Sequence, residues 1–170
     1  PAPCLYSQNH LPDVKAIVAV LLASLPEAVA IFKLPSVKVG SKATISQALI
    51  SNGSIVAGNV KRSVLSPGVI IHPGATVLNS VILNDTEVFP GAYIENAIID
   101  KNCKILENVV IGDSDDFTPN IENPSLLSSG INVIASKVTI PKGTIIKRNC
   151  RIFSTAKFED KVITSGSTLR

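Results

Sequence analysis

RSVLSPGVIIHPGATVL from Arg62, NSVILNDTEVFPGAYIE from Asn79 and NAIIDKNCKILENVVIG from Asn96 are three consecutive blocks of seventeen residues that align without a gap. A repeat of that length marks a stacked solenoid, in which each unit buries its apolar side only against its neighbours. Within the blocks the large aliphatic residues recur at steps of six, six and five: Leu65, Ile71, Val77; Ile82, Val88, Ile94; Ile99, Ile105, Ile111. Three steps per repeat predict a coil with three sides. Four residues after these anchors come small or β-branched residues: Val69, Ala75, Val81, Thr86, Ala92, Ile98, Cys103 and Val109. These are expected to stand two from the next anchor, the spacing at which a short strand points both side chains inward.

The corners are encoded separately. Gly68, Gly74, Asp85, Gly91, Asn102 and Asn108 follow their anchors by three, and these residue types tolerate the positive φ of a tight bend. Pro67, Pro73 and Pro90 precede three of them. The rule resumes at Ile134, Ile140, Ile146 and Ile152, with Val138, Thr144 and Cys150 inward and Gly143 and Asn149 at corners. Between the two runs, residues 113–130 are rich in Asp, Asn, Pro and Ser and read as a loop leaving the solenoid. The expected organisation is a linker and helical segment over 1–38, a β-helix of about six coils over 39–153, and a polar tail over 154–170.

Composition supports a single β domain. The chain has 170 residues, 45% of them hydrophobic but only 4% aromatic, so aliphatic side chains must fill the core. A net charge of +3, with no basic run and no interleaved aromatics, argues against a nucleic-acid partner. Val14 to Phe32 is the most apolar stretch, but Lys15, Pro26 and Glu27 interrupt it, so a packed helical hairpin or linker is preferred to a membrane span. With Asp13 as N-cap, the helix is expected over Val14 to Leu25. Three cysteines without a CxxC pair signal neither zinc nor a disulfide framework and fit a reducing cytoplasm. A start at Pro1 and the absence of methionine lead to the expectation of a fragment or excised domain.

Hexads of the form aliphatic, variable, variable, Gly or Asn, small, variable resemble the hexapeptide family of left-handed β-helices. The hand comes from that resemblance, since crossovers between parallel strands are otherwise right-handed. More narrowly, ALISNGSIVAGNVKRSVLSPGVIIHPGATVLNSVIL from Ala48, AIIDKNCKILENVVIG from Ala97 and SSGINVIASKVTIPKGTII from Ser128 are similar to the C-terminal domain of glucose-1-phosphate adenylyltransferases. The resemblance covers about Gly40 to Ile152. It implies a parent enzyme that makes ADP-glucose and pyrophosphate from ATP and glucose 1-phosphate with Mg²⁺. It also implies a separate catalytic domain in cis, because no Gly-rich nucleotide loop occurs here. This chain alone is expected to be inactive, to hold no cofactor and no metal, and to serve homo-oligomer assembly, as dimer or tetramer, and allosteric regulation by a phosphorylated metabolite.

The resemblance places the effector-binding candidates at Lys137, Lys142, Lys147 and Arg148, in a stretch similar to the plant enzymes' activator segment. The family's lysine aligns with Ser136 here, beside Lys137. Clustered basic side chains suit a sugar phosphate, although solvated outward charges are the plainer reading for each.

The alternative is a hexapeptide acyltransferase using His72 as general base, but no carboxylate partner is placed by the sequence. Three zinc-ligand histidines are not available, since only His10 and His72 exist. Asp113, Asp115 and Asp116 lack the glycine and distal Glu of an EF-hand and read as solvated. Ser51, Ser54 and Ser63 lack the elbow of a nucleophile. Cys103 and Cys150 fall at inward positions and are expected to be inert core residues.

Overall fold

The computed structural model describes residues 35–170; the helix expected at Val14 to Leu25, and the rest of the apolar segment to Phe32, lie outside them. Twenty strands of two or three residues, from Lys38–Val39 to Thr168–Leu169, gather into three parallel sheets of six, seven and seven strands. Each strand passes its neighbours in the chain and pairs with the strand one coil later. The result is the left-handed parallel β-helix, three-sided, with six complete coils and two sides of a seventh.

Sequence alternation explains both the shortness of the strands and the filling of the core. One inward anchor per side stacks on the same anchor of the next coil: Val56, Ile71, Val88, Ile105 and Ile140 on the first face, and Val60, Val77, Ile94, Ile111 and Ile146 on the second. Leu65, Ile82, Ile99, Ile134 and Ile152 form the third column. All fifteen are buried, and each full burial of such a side chain contributes about 1.5–3 kcal/mol before the entropy of ordering is charged against it.

Corners turn where Gly or Asx permits it. Gly68, Gly74, Asp85, Gly91, Asn102, Asn108, Gly143 and Asn149 all have positive φ, as do Gln47, Arg62, Asn79, Asn96 and Lys137, whose types do not announce it equally well. At Gly91 the reason for glycine is also steric, since a Cβ there would stand 2.3 Å from the Asn108 Oδ1 of the next coil.

Two expectations need correction. Val81 and Ile98 do not point inward; Ser80 and Ala97 do. The side holding them has five residues, so the position two before the anchor falls one residue earlier than the count of four from the previous anchor suggests, and strand alternation decides. The buried hydroxyls are satisfied between coils: the Ser80 amide donates to Ser63 Oγ and the Ala97 amide to Ser80 Oγ, each at 3.1 Å. The second correction concerns 154–170, which is not merely a tail. Val162–Ile163 pairs with Ile145–Ile146, and Thr168–Leu169 with Arg151–Ile152. Ile163 and Leu169 keep the six-residue step, with Gly166 at the corner between them.

Residues 113–130 leave at the corner between the second and third faces. Pairing offsets are 17 residues before this excursion, as for Ile98 on Val81, and 35 across it, as for Ile98 on Val133. Near the start one coil is shortened to 15 residues, Ile55 pairing with Ile70. Gly58 sits on its contracted side, where a Cβ would come within 2.4 Å of the Ala75 carbonyl oxygen. Among the described residues no helix is long and apolar enough to cross a membrane.

Candidate functional site

His72 follows the inward Ile71 on the first face and therefore points outward. One coil on, Glu87 and Phe89 flank the inward Val88 in the same way. The fold thus supplies what the sequence did not place: His72 Nε2 lies 2.8 Å from Glu87 Oε1, and its ring stacks on Phe89 with centroids 5.2 Å apart. Glu87 is fifteen residues from His72 in the chain, and only the coil period brings them together. Both side chains remain about one-third accessible. The pair has the composition of an oriented imidazole base on an open wall.

The four basic candidates do not converge. Lys137 turns the corner between the third and first faces with φ of 63°, Lys142 the corner between the first and second, and Lys147 with Arg148 the corner between the second and third. Within one chain they therefore do not surround a common ligand. Arg148 is committed to the fold: its Nε donates to the Ser114 carbonyl, its guanidinium lies 4.7 Å from the Phe117 ring centroid, and Nη2 stands 4.0 Å from Glu95 Oε2. Glu95 in turn accepts from the Tyr93 hydroxyl at 3.2 Å, and burial, followed by that carboxylate, pushes the phenol up from its ordinary value.

Two buried asparagines clamp the excursion to the solenoid. Asn149 Nδ2 donates to the carbonyls of Phe117 and Thr118 at 3.1 and 3.0 Å, while its Oδ1 accepts from the Gly130 amide at 2.7 Å. Asn120 Nδ2 lies 3.0–3.2 Å from the carbonyls of Asn149, Gly166 and Ser167, and its Oδ1 accepts from the amides of Glu122 and Asn123. Asp116 accepts from the hydroxyl and amide of Thr118, which hold its carboxyl below the usual range. Asn149 was legible as a corner; its second role was not, because the partners lie 19 to 32 residues away.

Cys103 and Cys150 are buried, with Sγ donating to the carbonyls of Ala135 and Thr164. Burial raises both thiols, Cys150 to about 11 from its ordinary 9.0. A raised folded value favours the neutral thiol, so its stabilisation is complete below pH 9 and is lost as pH rises towards 11. The shift corresponds to roughly 2–3 kcal/mol. Urea midpoints are expected to fall across that window, and to fall less in Cys150→Ala; equal slopes in the two proteins would refute the assignment.

Three comparisons with known proteins bear on this arrangement. The family described as GlmU-like, C-terminal hexapeptide matches residues 30–119. Glucose-1-phosphate adenylyltransferase from Thermomicrobium roseum is 40% identical over 139 residues, 79% of this chain and 32% of that protein. The enzyme of the same name from Acetivibrio thermocellus is 30% identical over 115 residues, 68% of this chain and 27% of that protein. The chain thus spans about a third or less of the length of these curated relatives. Among solved structures, the acetyltransferase domain of PglB from Neisseria gonorrhoeae FA1090 covers 91% of this chain and 61% of that one, at 16% identity and a TM-score of 0.27, too slight a likeness to carry an argument.

Proposed function

Since the chain belongs to the GlmU-like, C-terminal hexapeptide family, we propose that it is the C-terminal β-helix module of a glucose-1-phosphate adenylyltransferase. In this reading it assembles subunits and transmits an effector signal to a catalytic domain in cis. The similarity to relatives of that name over a minor part of their length carries the reading. The parent would form ADP-glucose and pyrophosphate from ATP and glucose 1-phosphate in the cytoplasm, with Mg²⁺ held by the catalytic domain. What this chain contributes is an aliphatic-cored prism whose outer walls would serve assembly. A phosphorylated effector would meet Lys137, Lys142 and Lys147 at separate corners, completing its site with residues of the catalytic domain or of another subunit. Arg148 would act through the loop it holds.

The test is a chimera. The Thermomicrobium roseum enzyme truncated of the matching segment is expected to regain ADP-glucose synthesis when this chain is fused in its place. An insoluble or inactive chimera, with the intact relative active under the same conditions, would count against the reading. The isolated chain is expected to form no ADP-glucose from ATP, glucose 1-phosphate and Mg²⁺, and measurable turnover would place catalysis within it.

The His72–Glu87 pair favours a second reading, acyl transfer from acetyl-CoA with His72 as general base. Acetyl transfer by the purified chain that disappears in His72→Ala would promote it.

A further inference from the structure

The outer wall of the third sheet differs from the other two. Its leading ladder is aliphatic over five consecutive rungs, Leu49, Val64, Val81, Ile98 and Val133, before Arg151. The corresponding ladder of the first sheet passes through Glu87 and Lys104, and that of the second through Asn59, Thr76 and Tyr93. Ile98 remains 41% exposed. Val81 and Ile98 belong to this wall because each stands one residue before an inward anchor, where strand alternation turns the side chain outward.

Beside that ladder, Asp100, Ala135 and Phe153 form the trailing ladder on the rungs of Ile98, Val133 and Arg151. Ala135 is small, and a groove of about 410 Å³ opens around it, bordered by Asp100 at one end and by Arg151 and Phe153 at the other. The Arg151 guanidinium lies 4.4 Å from the Phe153 ring centroid, so it leans across from the leading ladder over the trailing one. Among the described residues the Asp100 carboxylate accepts only from the Lys101 amide, at 2.8 Å. Neither charge has an ion-pair partner among the described residues.

We propose that a second copy of this chain docks antiparallel on this wall, about a two-fold axis through the rung of Val133 and Ala135, with Arg151 of each copy pairing with Asp100 of the other. The argument is one of symmetry and charge. Asp100 and Arg151 stand one rung to either side of Ala135, in opposite directions. A two-fold axis in the plane of the wall and perpendicular to the solenoid exchanges those two rungs and lays each ladder over itself. Arg151, leaning over Phe153 on the trailing ladder, then comes above the partner's Asp100, and the reciprocal pair forms by the same operation. Val133 meets the partner's Val133. Leu126, 77% exposed and bordering the adjoining depression with Val133 and Arg151, faces the partner's Ile98.

The axis overlays the rungs of Val81, Ile98, Val133, Arg151 and Thr168 and leaves Leu49 and Val64 outside the contact; five rungs at about 4.8 Å give a contact roughly 24 Å long, a small interface of the weakly associating class. Complementary charges there choose register and orientation more than they add affinity. The proposal rests on the reading of the chain as an assembly module and specifies which wall it uses.

Sedimentation velocity on the full chain at about 100 μM is expected to show dimer in exchange with monomer. Asp100→Arg alone sets two guanidiniums face to face and Arg151→Glu alone sets two carboxylates so, each weakening association about tenfold or more. Mixing the two variants restores both pairs, so a heterodimer is expected, and the double variant is expected to dimerise like the parent. Circular dichroism checks that each variant stays folded. A monomeric parent, single variants that dimerise undiminished, or a mixture of monomeric variants that stays monomeric would each overturn the proposal. The chimera experiment reads activity and does not depend on this charge pair, so failure here with an active chimera displaces only the wall.

Discussion

Ile94→Asp is expected to remove the cooperative unfolding transition. Ile94 has no accessible surface and is stacked between Val77 and Ile111 in the second column. A carboxylate there has neither water nor a partner, at a cost of several kcal/mol, a large share of the roughly 5–15 kcal/mol that holds a domain folded. Because each coil is supported mainly by its neighbours, the damage divides the solenoid into two shorter stacks rather than lowering one shared total. Urea unfolding followed by circular dichroism checks this, with Ile94→Val as control at about 0.5–1.5 kcal/mol. An Ile94→Asp protein with the parent's midpoint would mean that the side chain does not occupy the column.

Asn149→Ala is expected to act differently, by freeing the excursion while leaving the coils paired. The substitution removes three hydrogen bonds, to Phe117, Thr118 and Gly130, from a fully buried side chain and puts alanine at φ of 58°. Stranding those groups and straining the backbone is worth roughly 2–4 kcal/mol together. Hydrogen exchange should quicken by at least tenfold at amides within 113–130, Gly130 foremost, with little change at Ile94 or Ile105. Uniform quickening throughout the chain would show that the clamp and the coils are a single cooperative unit.

The parts of this molecule legible in its sequence are those governed by near-neighbour rules. Every anchor from Leu65 to Ile111 is buried as its spacing required, because a three-sided coil has one way to bury an aliphatic residue every fifth or sixth position. Corners at Asp85, Asn102 and Asn108 were readable because Asx tolerates positive φ, whereas Lys137 and Arg62 adopt it under compulsion from the coils on either side. Residues 162–169 escaped notice because Asp160, Lys161 and Ser167 dilute the aliphatic signal, leaving Ile163 and Leu169 as the two anchors. Contacts between coils were the hardest to foresee. Glu87 meets His72, and Asn120 meets Gly166, only once the period and the length of the excursion are combined in three dimensions. The scattered placement of Lys137, Lys142 and Lys147 follows from the same cause: residues five apart in the chain fall on successive corners.

The excursion at 113–130 has a consequence for how such a gene can change length. Pairing offsets step from 17 to 35 residues across it, yet Ile98 sits on Val133 as squarely as on Val81. Codons gained or lost at that corner therefore leave every downstream column aligned. One codon added inside a strand would instead turn each later residue of that strand to the opposite side. Natural variation in length among descendants of this gene should accordingly concentrate at the three edges of the prism and spare its faces, so that the corners serve as sites where new segments are acquired and tried without cost to the core.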